Sequence, residues 1–171
     1  MTRQEAPNAP HADRPDIPYG LVAETEGTGL IPWSRAEDRL RHAYIYWVCT
    51  VDTSGRPHSV PVWGLWDSGA FYFSNGATTR TGRALAAHPR VSVHLESGED
   101  VVMFEGDVTA IADEQMVDRL NAIYSPKYAW PDRVEGWYEV RPDKAYAWLS
   151  PSIGLGDHGI FQKTATRWRF D

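Results

Sequence analysis

The chain has 171 residues, 17 Lys+Arg and 23 Asp+Glu, giving a net charge of −6, which is the length of one domain and a charge that repels phosphate polymers. A domain of this size buries about 70% of its unfolded surface and needs no disulfide staple, and the single cysteine, Cys49, allows none within the chain. No run approaches the ~18 apolar residues of a membrane span, and the N-terminus lacks the basic-then-apolar order of a secretory signal, so the expectation is a soluble cytoplasmic protein with neither nucleic-acid nor membrane partners.

Residues 1–20 hold Pro7, Pro10, Pro15 and Pro18 among small and polar side chains. Too little apolar surface is present to offset the entropy of ordering, so a disordered tail is expected there and a single domain over 21–171. Ser34-Arg35-Ala36-Glu37 has the spacing of a capping box and predicts a short helix to about His42. Ala43 to Val51 is β-branched and aromatic throughout, which reads as a buried strand. The turn residues Asp52 to Gly55 lead into a second strand, His58 to Leu65, and Asp67-Ser68-Gly69 into a third, Ala70 to Ser74. Residues 79–87 are rich in Ala and Arg and stop at His88-Pro89, as a short helix should. Arg90 to Glu96 is a fourth strand and Val101 to Ile111 a fifth, with Gly106 marking a bulge or bend. Asp113 caps a helix to about Tyr124, and strands near Ala145 to Leu149 and at Thr164 to Phe170 follow. Short antiparallel strands at turn-marked intervals, with few helices, indicate a mainly β fold, a small β-barrel.

Eight Trp, eight Tyr and five Phe supply more large apolar surface than such a core needs, which points some rings at a ligand or a second subunit. Gly154-Leu155-Gly156-Asp157-His158-Gly159 matches G-x-G-x-x-G, but it follows no good strand and leaves too little chain for a βα unit, so it is set aside. The histidines at 11, 42, 58, 88, 94 and 158 form no i,i+4 pair and accompany no Cys cluster. No metal site is expected, and no G-x-S-x-G supports a hydrolase.

The informative segment runs from Phe73 to Leu85. With Thr79 as N-cap, Arg80 and Arg83 stand in the first helical turn, where the helix dipole disfavours each cation by roughly 0.3 to 1 kcal/mol. A phosphate reverses that penalty, because the helix N–H groups, the hydroxyls of Thr78, Thr79 and Thr81 and two guanidiniums converge on one anion. The other reading is a solvated helix with arginines on its wet face. Just upstream, Pro57 and Pro61 cannot donate to a ladder. That edge is either free for the polar rim of a flat heteroaromatic ring or guarded against aggregation by its prolines. Spacing alone leaves both pairs of readings open.

The order of these pieces resembles the flavin and deazaflavin oxidoreductases of the split β-barrel, the pyridoxamine 5′-phosphate oxidase-like family. The matching stretches are Tyr46 to Asp52, Gly55 to Trp63, Gly69 to Ser74, Thr79 to Leu85, His88 to His94, Val101 to Asp107, Tyr124 to Tyr128 and Thr164 to Phe170. The resemblance implies a split β-barrel of the FMN-binding type, forming a homodimer with coenzyme F420 or FMN at its interface. It implies that the cofactor ring lies along His58, Ser59, Val60, Pro61 and Val62 and against Tyr72, Phe73 and Ser74. The phosphate then meets Thr79, Arg80, Thr81 and Arg83, and Tyr124, Lys127, Tyr128, Arg167 and Trp168 stand near the opening. Tyr124, Lys127 and Tyr128 become the candidate proton donors. The Thr-x-Thr-Arg-Trp ending is more similar to the deazaflavin-using branch, which puts F420 ahead of FMN. Thr81 and Ala84 depart from the family's Lys and Asn, which removes one cationic phosphate ligand. The implied activity is hydride transfer between the bound cofactor and a small conjugated or aromatic substrate. The alternatives are a non-catalytic flavin, deazaflavin or haem carrier or sensor on the same fold, and an oligomerising barrel without cofactor.

Overall fold

The computed structural model describes residues 10–18, 20–21, 29–150 and 159–170. In chain order its elements are β1 (His11–Asp13), α1 (Trp33–His42), β2 (Tyr46–Val51), β3 (Pro57–Val62), β4 (Gly64–Asp67), β5 (Ala70–Ser74), α2 (Arg80–Ala87), β6 (Arg90–His94), β7 (Asp100–Ala110), α3 (Glu114–Tyr128), β8 (Trp137–Leu149), α4 (Gly159–Thr164) and β9 (Thr166–Arg169). All strand pairings are antiparallel, in the order β1-β9-β8-β7-β6-β2-β3. β8 forks: Lys144 to Ala147 pair with β9, whereas Trp137 to Val140 pair with β5, which in turn holds β4. Among the described residues the sheet does not close, and β3 is left with a free edge. This is a split β-barrel.

Period-two burial sets the two faces of the sheet. Tyr46, Val48, Val93, Val102, Phe104, Ala145, Ala147 and Trp168 point inward and are buried, and α1 closes this core with Ala36 and Leu40. β5 is buried on both sides: Phe71 and Phe73 join the main core, while Ala70 and Tyr72 join a second cluster with Leu65, Trp137 and the Val117, Leu120 and Tyr124 face of α3. The bulge expected at Gly106 is present. Glu105 pairs with Lys144 and Gly106 with Pro142, so Asp143 is the extra residue. A Cβ at position 106 would stand 2.2 Å from the Arg141 carbonyl oxygen, so only glycine lets the two backbones approach this closely.

Of the tail, residues 1–9 and 19 lie outside the described residues, and His11–Asp13 is a strand on β9. It is held there because Asp13 takes two 2.7 Å bonds from Arg167 and a third contact from Arg169. α1 starts on Pro32 without a side-chain cap. Glu37 does not reach back to complete a capping box, because its carboxylate accepts from Trp66 Nε1 and pairs with Arg41. The strand expected over His58 to Leu65 breaks at Trp63, where the chain leaves β2 for β5. β8 begins at Trp137, eight residues before the expected Ala145, because pairing with β5 and β7 carries it past Pro142. α3 runs to Tyr128 through Pro126, its last turn held by the Tyr128 hydroxyl against β4. The glycine-rich stretch at 154–159 lies outside the described residues except for Gly159, which starts α4. No helix among the described residues is long and apolar enough to cross a membrane.

Candidate functional site

Two features stand at opposite ends of the free β3 edge. The first is the start of α2. Thr79 caps it as expected, its hydroxyl accepting the Gly82 N–H at 3.0 Å while lying within hydrogen-bond reach of the Gly76 carbonyl and the Asn75 amide oxygen. Gly82 allows the 76–77 loop to fold onto the helix, since a Cβ there would meet Gly76 O at 2.4 Å. The first turn carries no acid. Arg80 and Arg83 are both exposed, and among the described residues neither makes an ion pair. Arg80 reaches the Pro57 carbonyl at 3.5 Å, a weak contact, and Arg83 donates to the Thr78 carbonyl. The acid that feels this corner is Asp52, whose carboxyl is held below the usual range first by the Arg56 N–H and more weakly by the Arg56 and Arg80 charges.

The direction of the β3 peptide groups follows from two contacts. Thr50 Oγ1 approaches the His58 carbonyl on the β2 side, whereas Arg80 approaches the Pro57 carbonyl from the other. Peptide groups alternate along a strand, so the carbonyls of Pro57, Ser59 and Pro61 face away from β2. Because prolines lack N–H, Ser59 alone brings a donor to that edge. The edge therefore offers carbonyl acceptors around one N–H.

The structure brings Arg80 to the Pro57 end of the strand that carries His58 to Val62, with Thr79 and Arg83 on the same helix start, but it engages other expected ligands elsewhere. The Thr81 side chain is 3% exposed and faces the core on the Ala84–Leu85 side of α2, so it cannot meet an anion at the surface. Tyr72 and Phe73 are buried, Tyr72 giving its hydroxyl to Glu139, and Ser74 gives its hydroxyl to the Glu135 carbonyl. Trp168 is fully buried beneath Trp33, and Arg167 is engaged by Asp13. Both lie on β9, separated from β3 by four strands along the sheet path.

The second feature is an aromatic corner beyond Val62. Trp63 stacks on Tyr128 with ring centroids 4.8 Å apart and meets Trp130 edge-on, and Tyr44 meets the Tyr128 ring edge-on. Tyr44, Trp63 and Trp130 are 61%, 42% and 41% exposed. Inside them, Lys127 Nζ lies 3.0 Å from the Gly64 carbonyl and 3.4 Å from the Tyr46 hydroxyl, over the rings of Tyr44, Tyr46 and Tyr128. Burial pushes Lys127 down to about 8 and, with lesser effects of neighbours, pushes Tyr128 up to about 12. Of the three expected proton donors, Tyr124 is a buried ring packed on Trp137, and Tyr128 is committed to Gly64 and the Tyr44 carbonyl. Lys127 is the one with a proton to exchange near neutral pH. Sequence reasoning missed Tyr44, Trp63 and Trp130 as a group; their signal was the surplus of aromatics. A cleft of about 440 Å³, lined by Arg39, His42, Ile45, Leu95 and Glu96 among others and sharing Tyr44 with the aromatic corner, lies beside the end of α1 and contains none of the expected site residues.

The family described as pyridoxamine 5′-phosphate oxidase matches residues 33–170. No curated protein matches the chain by sequence. Among solved structures, a conserved hypothetical protein from Mycobacterium tuberculosis superposes with a TM-score of 0.64 at 17% identity, over 85% of this chain and 99% of its own. A protein described as an F420 reductase gives 0.53 at 19% identity, over 64% of this chain and 94% of its own. A protein described as a putative pyridoxamine 5′-phosphate oxidase from Listeria innocua gives 0.55 at 14% identity, over 67% and 94%. At these identities the structural likeness is one of fold.

Proposed function

The chain belongs to the pyridoxamine 5′-phosphate oxidase family, and from that premise we propose that it is an oxidoreductase that binds coenzyme F420 or FMN along β3, with F420 placed first, and exchanges a hydride with a small conjugated substrate. The observation that carries this reading is the pair Arg80 and Arg83 at an acid-free helix start, at the head of an open strand edge. The donor set fits a phosphate: two guanidiniums, the Thr78 hydroxyl and the first amides of α2. The β3 edge fits two of the three positions on the imide rim of a flavin or deazaflavin ring, because the Ser59 N–H can donate to one ring carbonyl while the Ser59 carbonyl accepts the ring N–H. When bound, such a ring supplies the hydride chemistry. The protein's residues then have separate tasks. Arg80 and Arg83 neutralise the phosphate, β3 orients the ring, and Lys127 holds a proton on Nζ.

Pairing of two copies is supported by the outward face of the sheet. The strand registers line up Pro61, Trp47, His94, Met103 and Tyr146 in one row across β3, β2, β6, β7 and β8, with Trp148 of β8 on the same face. These side chains are only partly covered apart from the exposed Pro61, and Trp47 stacks on His94. A row of large apolar groups of this kind marks an interaction surface. Because it ends at Pro61, a second copy seated there borders the cofactor edge.

The test is a side-by-side titration of the purified protein with F420 and FMN, following cofactor emission, together with light scattering to determine its mass. Binding of either cofactor with a stoichiometry of one per chain, by a dimer, is expected. Failure of both to bind sinks the reading. Tight binding with no oxidation of the reduced cofactor by any conjugated acceptor moves it to a carrier or sensor.

A further inference from the structure

Lys127 differs from the other basic groups near the β3 edge in its surroundings. Its Nζ is enclosed by three tyrosine rings, and burial is the sole cause of its lowered proton affinity. A nearby carboxylate would raise that affinity, and no ion pair to Lys127 is present among the described residues. Two of its N–H bonds go to the Gly64 carbonyl and the Tyr46 hydroxyl. An ammonium has three, so among the described residues the third donor of this half-buried cation meets only the tyrosine rings and no oxygen. In the same corner, Trp63 has one face on Tyr128 and is still 42% exposed, and Tyr44 and Trp130 are exposed beside it. Large rings that are both fixed and wet are stacking platforms for a flat ligand.

We infer that this corner is a seat for a planar conjugated anion, its ring lying against Trp63 and Tyr44 and its carboxylate or oxyanion on Lys127 Nζ. The occupant follows from charge and shape. A neutral flat ligand leaves the cation without a counter-charge, and a non-aromatic acid leaves the rings wet. A planar acid satisfies both. β3 spans about 17 Å from Pro57 to Val62, so a ligand here sits at the end of the edge away from Arg80 and Arg83. The seat itself stands without the oxidoreductase reading. Its role as the place of the hydride acceptor, which would make the substrate a conjugated acid, rests on that reading.

The test uses 2-naphthoate and its neutral isostere 2-naphthamide, titrated calorimetrically into the full chain with no cofactor added. Naphthoate is expected to bind about ten-fold tighter than naphthamide, as a charge-assisted hydrogen bond gives. Lys127→Gln should abolish that preference and Lys127→Arg should keep most of it, while Trp63→Ala should weaken both probes about five-fold or more. Equal affinities for the two probes, a preference that survives Lys127→Gln, or indifference to Trp63→Ala would each overturn the assignment. Loss of naphthoate binding in the presence of saturating FMN would also overturn it, because the corner would then belong to the cofactor's own site. If neither F420 nor FMN binds, the oxidoreductase reading fails while the naphthoate preference still reports on the seat.

Discussion

Replacing Arg80 and Arg83 by Ala separates a functional role from a structural one by the sign of its effect. In the protein without ligand each arginine does little for the fold. Arg80 has one contact at 3.5 Å, Arg83 bonds a carbonyl of its own loop, and both are exposed. Each also stands at the positive end of α2, where a cation costs about 0.3 to 1 kcal/mol. The double variant should therefore be as stable as the parent, or more stable by up to about 1 kcal/mol, in urea unfolding of the cofactor-free protein. Binding should move the other way. A charged hydrogen bond to phosphate is worth about 1.5 to 3 kcal/mol, so each single variant should lose roughly 10- to 150-fold in affinity for FMN or F420. Arg80→Lys should retain part of the loss, since a point charge replaces the fork. The salt dependence of binding should also flatten in the double variant. Variants that bind within two-fold of the parent, or a double variant that loses more than about 1 kcal/mol without cofactor, would show that the arginines serve the fold.

Three further outcomes follow from the structure. Gly106→Ala places a Cβ 2.2 Å from the Arg141 carbonyl and should cost more than about 2 kcal/mol; a urea midpoint unchanged from the parent would contradict the close approach at the bulge. Ser68 has φ 50° before Gly69 at φ 77°, the backbone of a type I′ hairpin turn, so Ser68→Asn should raise stability by about 0.5 to 1 kcal/mol in thermal unfolding. Lys127 has a lower pKa folded, about 8, than its ordinary 10.5, so between those values the unfolded chain holds more protons and stability should climb with pH. Relative to Lys127→Met, which lacks the titration, the parent should gain about 1 to 2 kcal/mol across that window once solvent screening is allowed for; parallel pH curves would refute the burial of the ammonium.

The parts of the fold that were legible are those governed by local rules. Thr79 and Asp113 cap their helices because a hydroxyl or carboxylate before a helical run has a free N–H to accept, and Gly106 announces a bulge because a Cβ has no room in a twisted ladder. Two corrections at the site were also legible from periodicity. Thr81, Ala84 and Leu85 fall on one helical face, so Thr81 belongs to the core side of α2. Arg167 and Trp168 are neighbours on a strand, so their side chains point to opposite faces and cannot both meet one ligand. What was not legible depends on distant pairing. The contact of Asp13 with Arg167 joins residues 154 apart in sequence, and the cage around Lys127 takes Tyr44 from just before β2, Tyr46 from its start and Tyr128 from the end of α3. No window of sequence contains such a cage.

The two prolines of β3 connect these observations. An open edge strand is a template for pairing with another chain unless its donors are removed. Pro57 and Pro61 remove two of the three donors on the outward side, and the parity fixed by Thr50 and Arg80 leaves the Ser59 N–H as the third. A regular strand needs alternating donors and acceptors along the whole edge, so another β-strand pairs poorly here. A flavin-type ring rim can be held at two positions by a single residue, whose N–H donates to a ring carbonyl and whose carbonyl accepts the ring N–H, and Ser59 retains that pair. The prolines that guard the edge against aggregation are therefore compatible with its use as a ring-binding surface, and the two readings left open by the spacing do not compete. The arginines at one end and the caged ammonium at the other then give a single strand two charged termini, each without a carboxylate partner among the described residues, spaced about 17 Å apart along β3.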